Sequence, residues 1–355
     1  MPATKKPYCF ITLFEKFIKD SKSGKRLQPN GKPVKNGTID NYYYSLLLLK
    51  RFCQTMQFEL RIIPARRLGK RELISEKNYW KKFYKKFTDY LYDECGHYDN
   101  YVGLTIKNIR TFFSYLNNEL LLGVGEFHKK FYVRREEIAI FPLMPEELQF
   151  LIHDKSFEDS LSRRMKEVKD FFVFGCTVAL RFSDLVTLKK SNIRVAGSQS
   201  YLAVKSEKTT TDSLIKLPSY AVEIVRRYYK LKQRLLPKFN IVNLNKFIKR
   251  LFEQAGFTQL INISRNRRGI AISQKGADNL PEMRLCDIAS THTMRRTAIT
   301  TMLSLGVSEQ LVRKISGHSP NSKEFYRYVL WSQAYQDHET EKMFSKLGER
   351  KLGAA

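Results

Sequence analysis

The chain has 355 residues, of which 43% are hydrophobic and 13% aromatic, and it carries a formal net charge of +28 at pH 7. This composition excludes a disordered chain, and no apolar run reaches the roughly 18 residues that a transmembrane helix needs. Positive charge on a chain long enough for about two domains predicts a long polyanion as partner, and nucleic acid fits best.

The cysteines indicate a reducing compartment. They are odd in number, scattered and without a C-x-x-C pair, at positions Cys9, Cys53, Cys95, Cys176 and Cys286. This pattern favours reduced thiols over disulfides or a cysteine zinc site. The first residues also lack the apolar core of a secretory signal. We therefore expect a cytoplasmic protein.

The first 125 residues show the apolar spacing of helices. About four or five helices are predicted, among them helices over residues 8–20, from a cap at Thr38 to Cys53, over 75–95 and over 104–121. A short strand or extended link is predicted at 58–63. The loop 21–37 is rich in Gly, Pro, Asn and Lys, so it either lies along a DNA backbone or is simply solvated. Three consecutive tyrosines, 42 to 44, cannot all be buried, and some of them could contact sugar or phosphate.

Residues 126–142 lack helical periodicity and are predicted to be an interdomain linker. A second domain then opens at Leu143, with Pro145 in the first turn of a helix. Residues 166–188 follow as one strongly helical, mostly apolar stretch that carries Arg181 and Asp184. A buried arginine needs a partner, and both Asp184 and a phosphate are candidates.

A β-hairpin is predicted next, with strands over 201–205 and 213–217 and Lys208 near its turn. Lys205 and Lys216 are rival lysines in the same hairpin. Helices are predicted over 219–235 and 243–256, with a further extended stretch at 258–274.

The stretch from Ser290 to Leu303 places His292 and Arg295 three residues apart, on one face of a helix. Alone this spacing is a weak signal of a phosphate site. A short helix over 308–316 and a turn with His318 follow. Two tyrosines, Tyr326 and Tyr328, then precede an amphipathic tail at 332–350.

These motifs together resemble the tyrosine recombinase (phage integrase) family over residues 143–350. The matching segments are Leu180-Arg-Phe-Ser-Asp-Leu185, Glu207-Lys-Thr209 ahead of Ile215-Lys-Leu-Pro218, His292-Thr-Met-Arg295, Ile315-Ser-Gly-His-Ser319 and Phe325-Tyr-Arg-Tyr-Val329. The resemblance implies a mainly α protein. It has a helical, SAM-like core-binding domain (1–125), a linker (126–142) and a mixed α+β catalytic domain with a small antiparallel sheet (143–355), forming a C-shaped DNA clamp. The tail, about 332–355, would dock on a neighbouring protomer.

The resemblance also implies the roles of the site residues. Arg181 and Arg295 would hold the non-bridging oxygens of a DNA phosphodiester, with His318 as a further donor. His292 would move the proton of the attacking phenol or bond the phosphate. Lys208 would be the general acid for the leaving 5′ oxygen, and Tyr328 the nucleophile that forms a 3′-phosphotyrosyl link. Tyr328 is preferred to Tyr326 because its context resembles the family's T-F-x-x-Y-I form.

Three further positions beside these residues can be compared with the family pattern. Ala179 occupies a position that is often glycine, Ser316 one that is commonly leucine, and Arg296 follows the H-x-x-R motif where His or Arg is usual. None of the three removes a catalytic group.

The function implied is site-specific DNA recombination, in integration, excision or inversion, without metal, ATP or another cofactor. The implied partners are double-stranded DNA and three further copies of the chain in a homotetramer on paired sites. A monomer in solution, no membrane association, and possible accessory DNA-bending proteins complete this expectation, with a location at the bacterial or phage nucleoid. Two alternatives are a type IB-like topoisomerase acting on one duplex and a non-catalytic DNA-binding regulator.

Overall fold

The structure is a computed structural model that describes residues 7–205, 212–276 and 282–348. The chain forms two compact units. The first comprises residues up to Ile138 together with Ser264–Ser273, and the second comprises Ala139–Ile263 and the residues from Gln274 onward. Each unit has a hydrophobic core of its own.

Helices dominate the described residues. In chain order they are α1 (Phe10–Lys22), α2 (Asn36–Thr55), α3 (Lys70–Asp93), α4 (Asp99–Asn118), α5 (Pro145–His153), α6 (Lys155–Ser160), α7 (Arg163–Val178), α8 (Phe182–Leu185), α9 (Ser219–Arg227), α10 (Ile241–Gln254), α11 (Leu285–Ile288), α12 (Thr291–Ser304), α13 (Glu309–Ser316) and α14 (Lys323–Gly348). Short 3₁₀ turns occur at Ala65–Arg67, Phe127–Lys130 and Lys190–Asn192. None of the helices in the described ranges is both long enough and apolar enough to cross a bilayer.

The strands are short and antiparallel. They are β1 (Tyr8–Cys9), β2 (Arg61–Ile62), β3 (Ile193–Ala196), β4 (Gln199–Lys205), β5 (Asp212–Leu217), β6 (Leu260–Ile261), β7 (Ser264–Arg267), β8 (Ile270–Ser273) and β9 (Met283–Arg284). β3, β4 and β5 form a three-stranded sheet, and the other strands pair two by two. The predicted fold class, mainly helical with a small antiparallel sheet, is confirmed.

The first unit packs α1 to α4 around an aromatic core. Fully buried rings come from all four helices, for example Phe14, Phe52, Phe83 and Phe112. The predicted cap at Thr38 is wrong, because α2 begins two residues earlier and Thr38 donates its backbone N–H to the carbonyl of the preceding Lys35. Phe131, which falls within the linker predicted at 126–142, is also part of this unit's core.

The hairpin β7–β8 belongs to the first unit although it lies far along the chain. Its turn places Arg268 and Gly269 at positive φ, 56° and 82°. The Asp99 carboxylate at the start of α4 accepts the backbone N–H groups of both turn residues, each at 2.8 Å. Oε1 of Glu136 accepts both Nε and Nη2 of Arg265, at 3.0 and 2.7 Å, and the Glu136 side chain is 1% exposed.

The second unit packs α7 against α12 at close range. The approach is possible because Gly175 has no side chain, since a Cβ there would lie 3.1 Å from Cβ of Met294 and 2.5 Å from its sulfur. Residues 166–188 were predicted to be one continuous helix, and this is wrong. α7 ends at Val178 because Ala179 takes a left-handed conformation, and the short α8 starts only at Phe182.

Candidate active site

The candidate site lies in the second unit and starts at the break between α7 and α8. Ala179 has φ of 55°, a region that is costly for a residue with a Cβ. Arg181 follows in an extended conformation and directly precedes α8, so its side chain leaves the break between two helices rather than the middle of one. Together with burial, the charge of Arg181 lowers the pKa of His292, of Arg295 and of His318. The break therefore places the Arg181 guanidinium close enough to His292, Arg295 and His318 to act on them electrostatically.

Helix α12 contributes His292 and Arg295 one turn apart, as their spacing predicted. His292 lies in the first turn and is exposed, whereas Arg295 is 4% exposed. Although the residue is partly exposed, neighbouring atoms exclude some of the water around its ring. This desolvation, followed by the charges of three nearby guanidinium groups, lowers the pKa of His292. Its imidazole is therefore neutral near pH 7 and able to accept a proton.

Arg295 is held by partners from two different elements. Its Nη1 donates to the carbonyl oxygen of Ala179 at 2.7 Å, and its Nη2 lies 3.3 Å from both ring nitrogens of His318. Burial and then the charge of Arg181 lower the pKa of Arg295 to about 10, so it remains protonated at neutral pH. No carboxylate among the described residues is hydrogen-bonded to Arg295. A buried guanidinium in this setting is a strong binder of an anion.

His318 sits on the turn that ends α13. Gly317 closes the helix in a left-handed conformation with φ of 65°, and the His318 N–H donates to the carbonyl of Arg313 at 3.0 Å. The side chain is fixed further by the hydroxyl of Ser316, 2.8 Å from Nδ1. Burial, then the charges of Arg295, Arg181 and Arg313, lower the pKa of His318 to about 3, so the ring is neutral.

The two candidate tyrosines lie on α14 and differ in their surroundings. Tyr328 is half-buried, and its ring centroid lies 5.9 Å from that of His318. Tyr326 is 57% exposed, with its ring 5.5 Å from the guanidinium carbon of Arg313. Of the two, Tyr328 is the one whose ring contacts the His318 side of the site.

Lys208 lies outside the described residues, as do the other residues from 206 to 211. β4 and β5, which flank this segment, pair from Ser200↔Leu217 to Lys205↔Asp212. The rival Lys216 is exposed on β5, opposite Tyr201. The structure thus gathers Arg181, His292, Arg295, His318 and Tyr328, five of the six predicted site residues, in one unit.

Sequence reasoning did not assign Arg296 to the site. Burial lowers the pKa of Arg296. The nearby phenol of Tyr328 raises this pKa, and the charge of Arg327 lowers it further. Arg296 therefore interacts electrostatically with Tyr328 and is a further cation next to His292 and Arg295 on α12. The sequence feature that could have identified it is its position directly after the H-x-x-R motif. Among the described residues, no group of three or more His, Cys, Asp or Glu side chains could hold a metal ion.

The first unit carries a basic cleft of about 1100 Å³. It is formed by the loop after α1, by α2 and α4, and by the segment around 128–135, and its cationic lining residues are Arg26, Lys107, Arg110, Lys129 and Arg135. In the tyrosine run, Tyr42 is buried, whereas Tyr43 and Tyr44 are 51% and 56% exposed. Cations and exposed aromatic rings are the side chains that a nucleic-acid surface uses.

The sequence pattern of the second unit has a known counterpart. The model of the phage integrase family matches residues 147–331, just over half of the chain. The chain belongs to the phage integrase family. As a member, it is a tyrosine-type site-specific recombinase, and neither alternative, topoisomerase or non-catalytic regulator, is favoured.

Solved recombinase structures share the fold of this integrase-family enzyme. A lambda integrase dimer bound to a COC′ core site has a TM-score of 0.58 at 11% identity, over 91% of this chain and 78% of the lambda chain. A lambda integrase tetramer bound to a Holliday junction has 0.58 at 12%, over 92% and 78%. The Tn1549 transposon integrase, in complex with circular intermediate DNA, has 0.54 at 16%, over 90% and 94%. No curated protein matches the chain in sequence.

Proposed function

We propose that this recombinase cleaves duplex DNA through a covalent 3′-phosphotyrosyl intermediate formed by Tyr328. The observation that carries the proposal is the contact chain in which Tyr328 packs on His318 and His318 lies 3.3 Å from the buried Arg295. A phosphodiester bound between these groups would lie against the phenol and two guanidinium groups at once. Such fixed cations act on the charge that develops at phosphorus.

The steps follow from the groups present. The phenol of Tyr328 loses its proton to neutral His292, and its oxygen attacks the phosphorus, whose bond to the 5′ oxygen breaks. Lys208 protonates that leaving oxygen, while Arg181 and Arg295 hold the two non-bridging oxygens. Attack by a 5′ hydroxyl on the phosphotyrosine reverses the sequence and frees the phenol. Bond energy is conserved in the covalent link, so the exchange needs no external energy source.

In the same proposal, the first unit binds DNA through its basic cleft. This is the role that was expected for the domain predicted at residues 1–125. The lambda integrase neighbour is a tetramer on a Holliday junction, and this supports a tetramer of the present chain on paired sites. We expect a monomer in solution and action on DNA in the cytoplasm. Accessory DNA-bending proteins would help assembly where two sites must be paired.

The nucleophile can be identified by trapping the adduct. The full-length enzyme is mixed with a supercoiled plasmid library of random inserts, denatured with detergent, and the DNA that remains attached is sequenced. We expect Tyr328→Phe to abolish attached DNA while DNA binding persists, because only the phenol oxygen forms the link. Tyr326→Phe is the matched control, since it removes a hydroxyl two residues away. Loss of the adduct in Tyr326→Phe but not in Tyr328→Phe would overturn the assignment.

A further inference from the structure

The hydroxyl of Ser316 has a defined hydrogen-bonding direction. Its Oγ lies 2.6 Å from the carbonyl oxygen of Val312, one helical turn earlier in α13, and 3.4 Å from the more distant carbonyl oxygen of Arg313. A carbonyl oxygen cannot donate, so the single hydroxyl proton of Ser316 points to Val312. Ser316 is 2% exposed, so water does not compete as an acceptor for the hydroxyl proton.

This direction fixes the protonation of His318. Nδ1 of His318 lies 2.8 Å from Oγ of Ser316, which has already donated its proton and can only accept. Nδ1 must therefore carry the ring proton. In a neutral imidazole the other nitrogen, Nε2, then has a lone pair and no proton. Arg295 donates to this lone pair from Nη2 at 3.3 Å, since Nδ1 is occupied.

A neutral His318 held in this form cannot donate a hydrogen bond to phosphate, because the nitrogen that faces Arg295 has no proton. It can donate only after taking a proton from solvent at Nε2. The charges that face the ring oppose this protonation: they belong to Arg295 on α12, Arg181 before α8 and Arg313 on α13. The remaining neighbour, on α14, is the ring of Tyr328. A bound phosphodiester, with its extra negative charge in the transition state, favours the imidazolium.

We propose that Ser316 is a positioning residue that locks His318 in its Nδ1-protonated form, so that His318 assists strand cleavage only as an imidazolium. The effect on strand cleavage rests on the proposed function, in which the site binds a DNA phosphate. The tautomer of His318 is a property of the free protein and can be measured without DNA. It also gives a physical role to the serine at a position where the family commonly has leucine, a side chain that could not accept this hydrogen bond.

Removing the hydroxyl should release the tautomer. In Ser316→Ala, an Nδ1–H group would be buried without its present acceptor, which is unfavourable. Arg295 Nη2 is equally far from both ring nitrogens, 3.3 Å, so it can donate to Nδ1 instead. The ring proton then moves to Nε2, and a neutral His318 can donate to the phosphate.

The first test needs no DNA. Nitrogen-15 NMR of the imidazole groups in the full-length free protein distinguishes protonated from unprotonated ring nitrogens, and His318→Gln assigns the signals. We expect Nδ1–H in the wild type and a shift toward Nε2–H in Ser316→Ala. Ser304→Ala is the control, because it removes a different hydroxyl, at the end of α12, which hydrogen-bonds to Ser332 rather than to His318. A wild-type ring protonated at Nε2, or no change in Ser316→Ala, overturns the proposal.

The second test uses the duplex recovered by adduct sequencing. Single-turnover cleavage is measured from pH 6 to 9, and the rate of Ser316→Ala is divided by that of the wild type, so that groups common to both cancel. The wild-type imidazolium disappears as pH rises, by about tenfold per unit above its pKa in the complex, whereas the variant does not need it. The ratio should therefore rise with pH, and a flat ratio overturns the proposal. Absence of any wild-type adduct would instead contradict the proposed function, while leaving the NMR result to decide the tautomer.

Discussion

At the scale of single residues, Arg313 connects the turn that carries His318 to the start of the tyrosine helix. Its guanidinium carbon lies 3.9 Å from the ring centroid of Phe325, and one of its nitrogens is 3.3 Å from the carbonyl of Ser319. Glu309, one turn earlier, accepts from the same group at 3.4 Å. The flat, forked guanidinium makes all three contacts together, which a lysine ammonium cannot do.

We therefore expect Arg313→Lys to slow formation of the covalent adduct by about tenfold or more, a loss of about 1.4 kcal/mol. The charge is retained, so affinity for DNA should change little. Arg194→Lys, the same change at an exposed position of β3, is the control. Cleavage and binding are measured separately, by quenched adduct formation and by titration of DNA. Equal rates for Arg313→Lys and the wild type would show that the stacking on Phe325 does not position the helix.

The motifs that resemble the integrase family selected Arg295 and His318 as site residues but did not reveal the partners that hold them. The structure places these two side chains 3.3 Å apart. The carbonyl of Ala179 that holds Arg295 could not be predicted, because it depends on a left-handed residue 116 positions away. Ser316 was noticed as a departure from the family, but its contact with His318 depends on side-chain geometry at the end of α13.

At the scale of elements, the contact between α7 and α12 decides where the cations lie. Periodicity predicted a helix for each, because both bury an apolar face. It did not predict the end of α7 at Val178, because no glycine or proline marks the break. Nor did it predict the close approach at Gly175, where the neighbour Met294 directly precedes Arg295. A displacement of α12 at this point would move Arg295 away from Ala179.

Gly175→Ala should make this displacement. Overpacking against the fully buried Met294 costs about 1–3 kcal/mol, and the better helix propensity of alanine returns about 1 kcal/mol. We expect a net loss of stability of about 1 kcal/mol, with slower cleavage and nearly unchanged DNA affinity. Gly37→Ala is the matched control, since Gly37 is also helical and a Cβ there meets nothing within 4 Å. Denaturant unfolding of both variants measures the difference, and equal stabilities would contradict the packing argument.

At the scale of the whole molecule, the first unit is made from two distant parts of the sequence. Residues up to Ile138 supply its helices, and the hairpin 264–273 completes it. Local periodicity and loop composition predict contiguous domains, so they could not assign this hairpin to the N-terminal helices. The information lies in charge pairing over more than 120 positions, between Glu136 and Arg265, and a single sequence does not reveal such pairs.

Glu136→Gln tests how much this long-range pairing stabilises the unit. The Glu136 carboxylate is buried, accepts both Nε and Nη2 of Arg265 and also takes the backbone N–H of Asn266. Its amide replacement leaves the arginine without a counter-charge, and we expect a loss of about 2–4 kcal/mol in the free energy of unfolding. Glu126→Gln is the control, because Glu126 pairs with Lys129 on the surface, where such pairs contribute about 0–1 kcal/mol. Protease should also cut Glu136→Gln faster within 264–273, since the hairpin is released before the helices unfold. If the two variants unfold at the same denaturant concentration, the hairpin adds little to the unit, and residues 1–138 would fold without it.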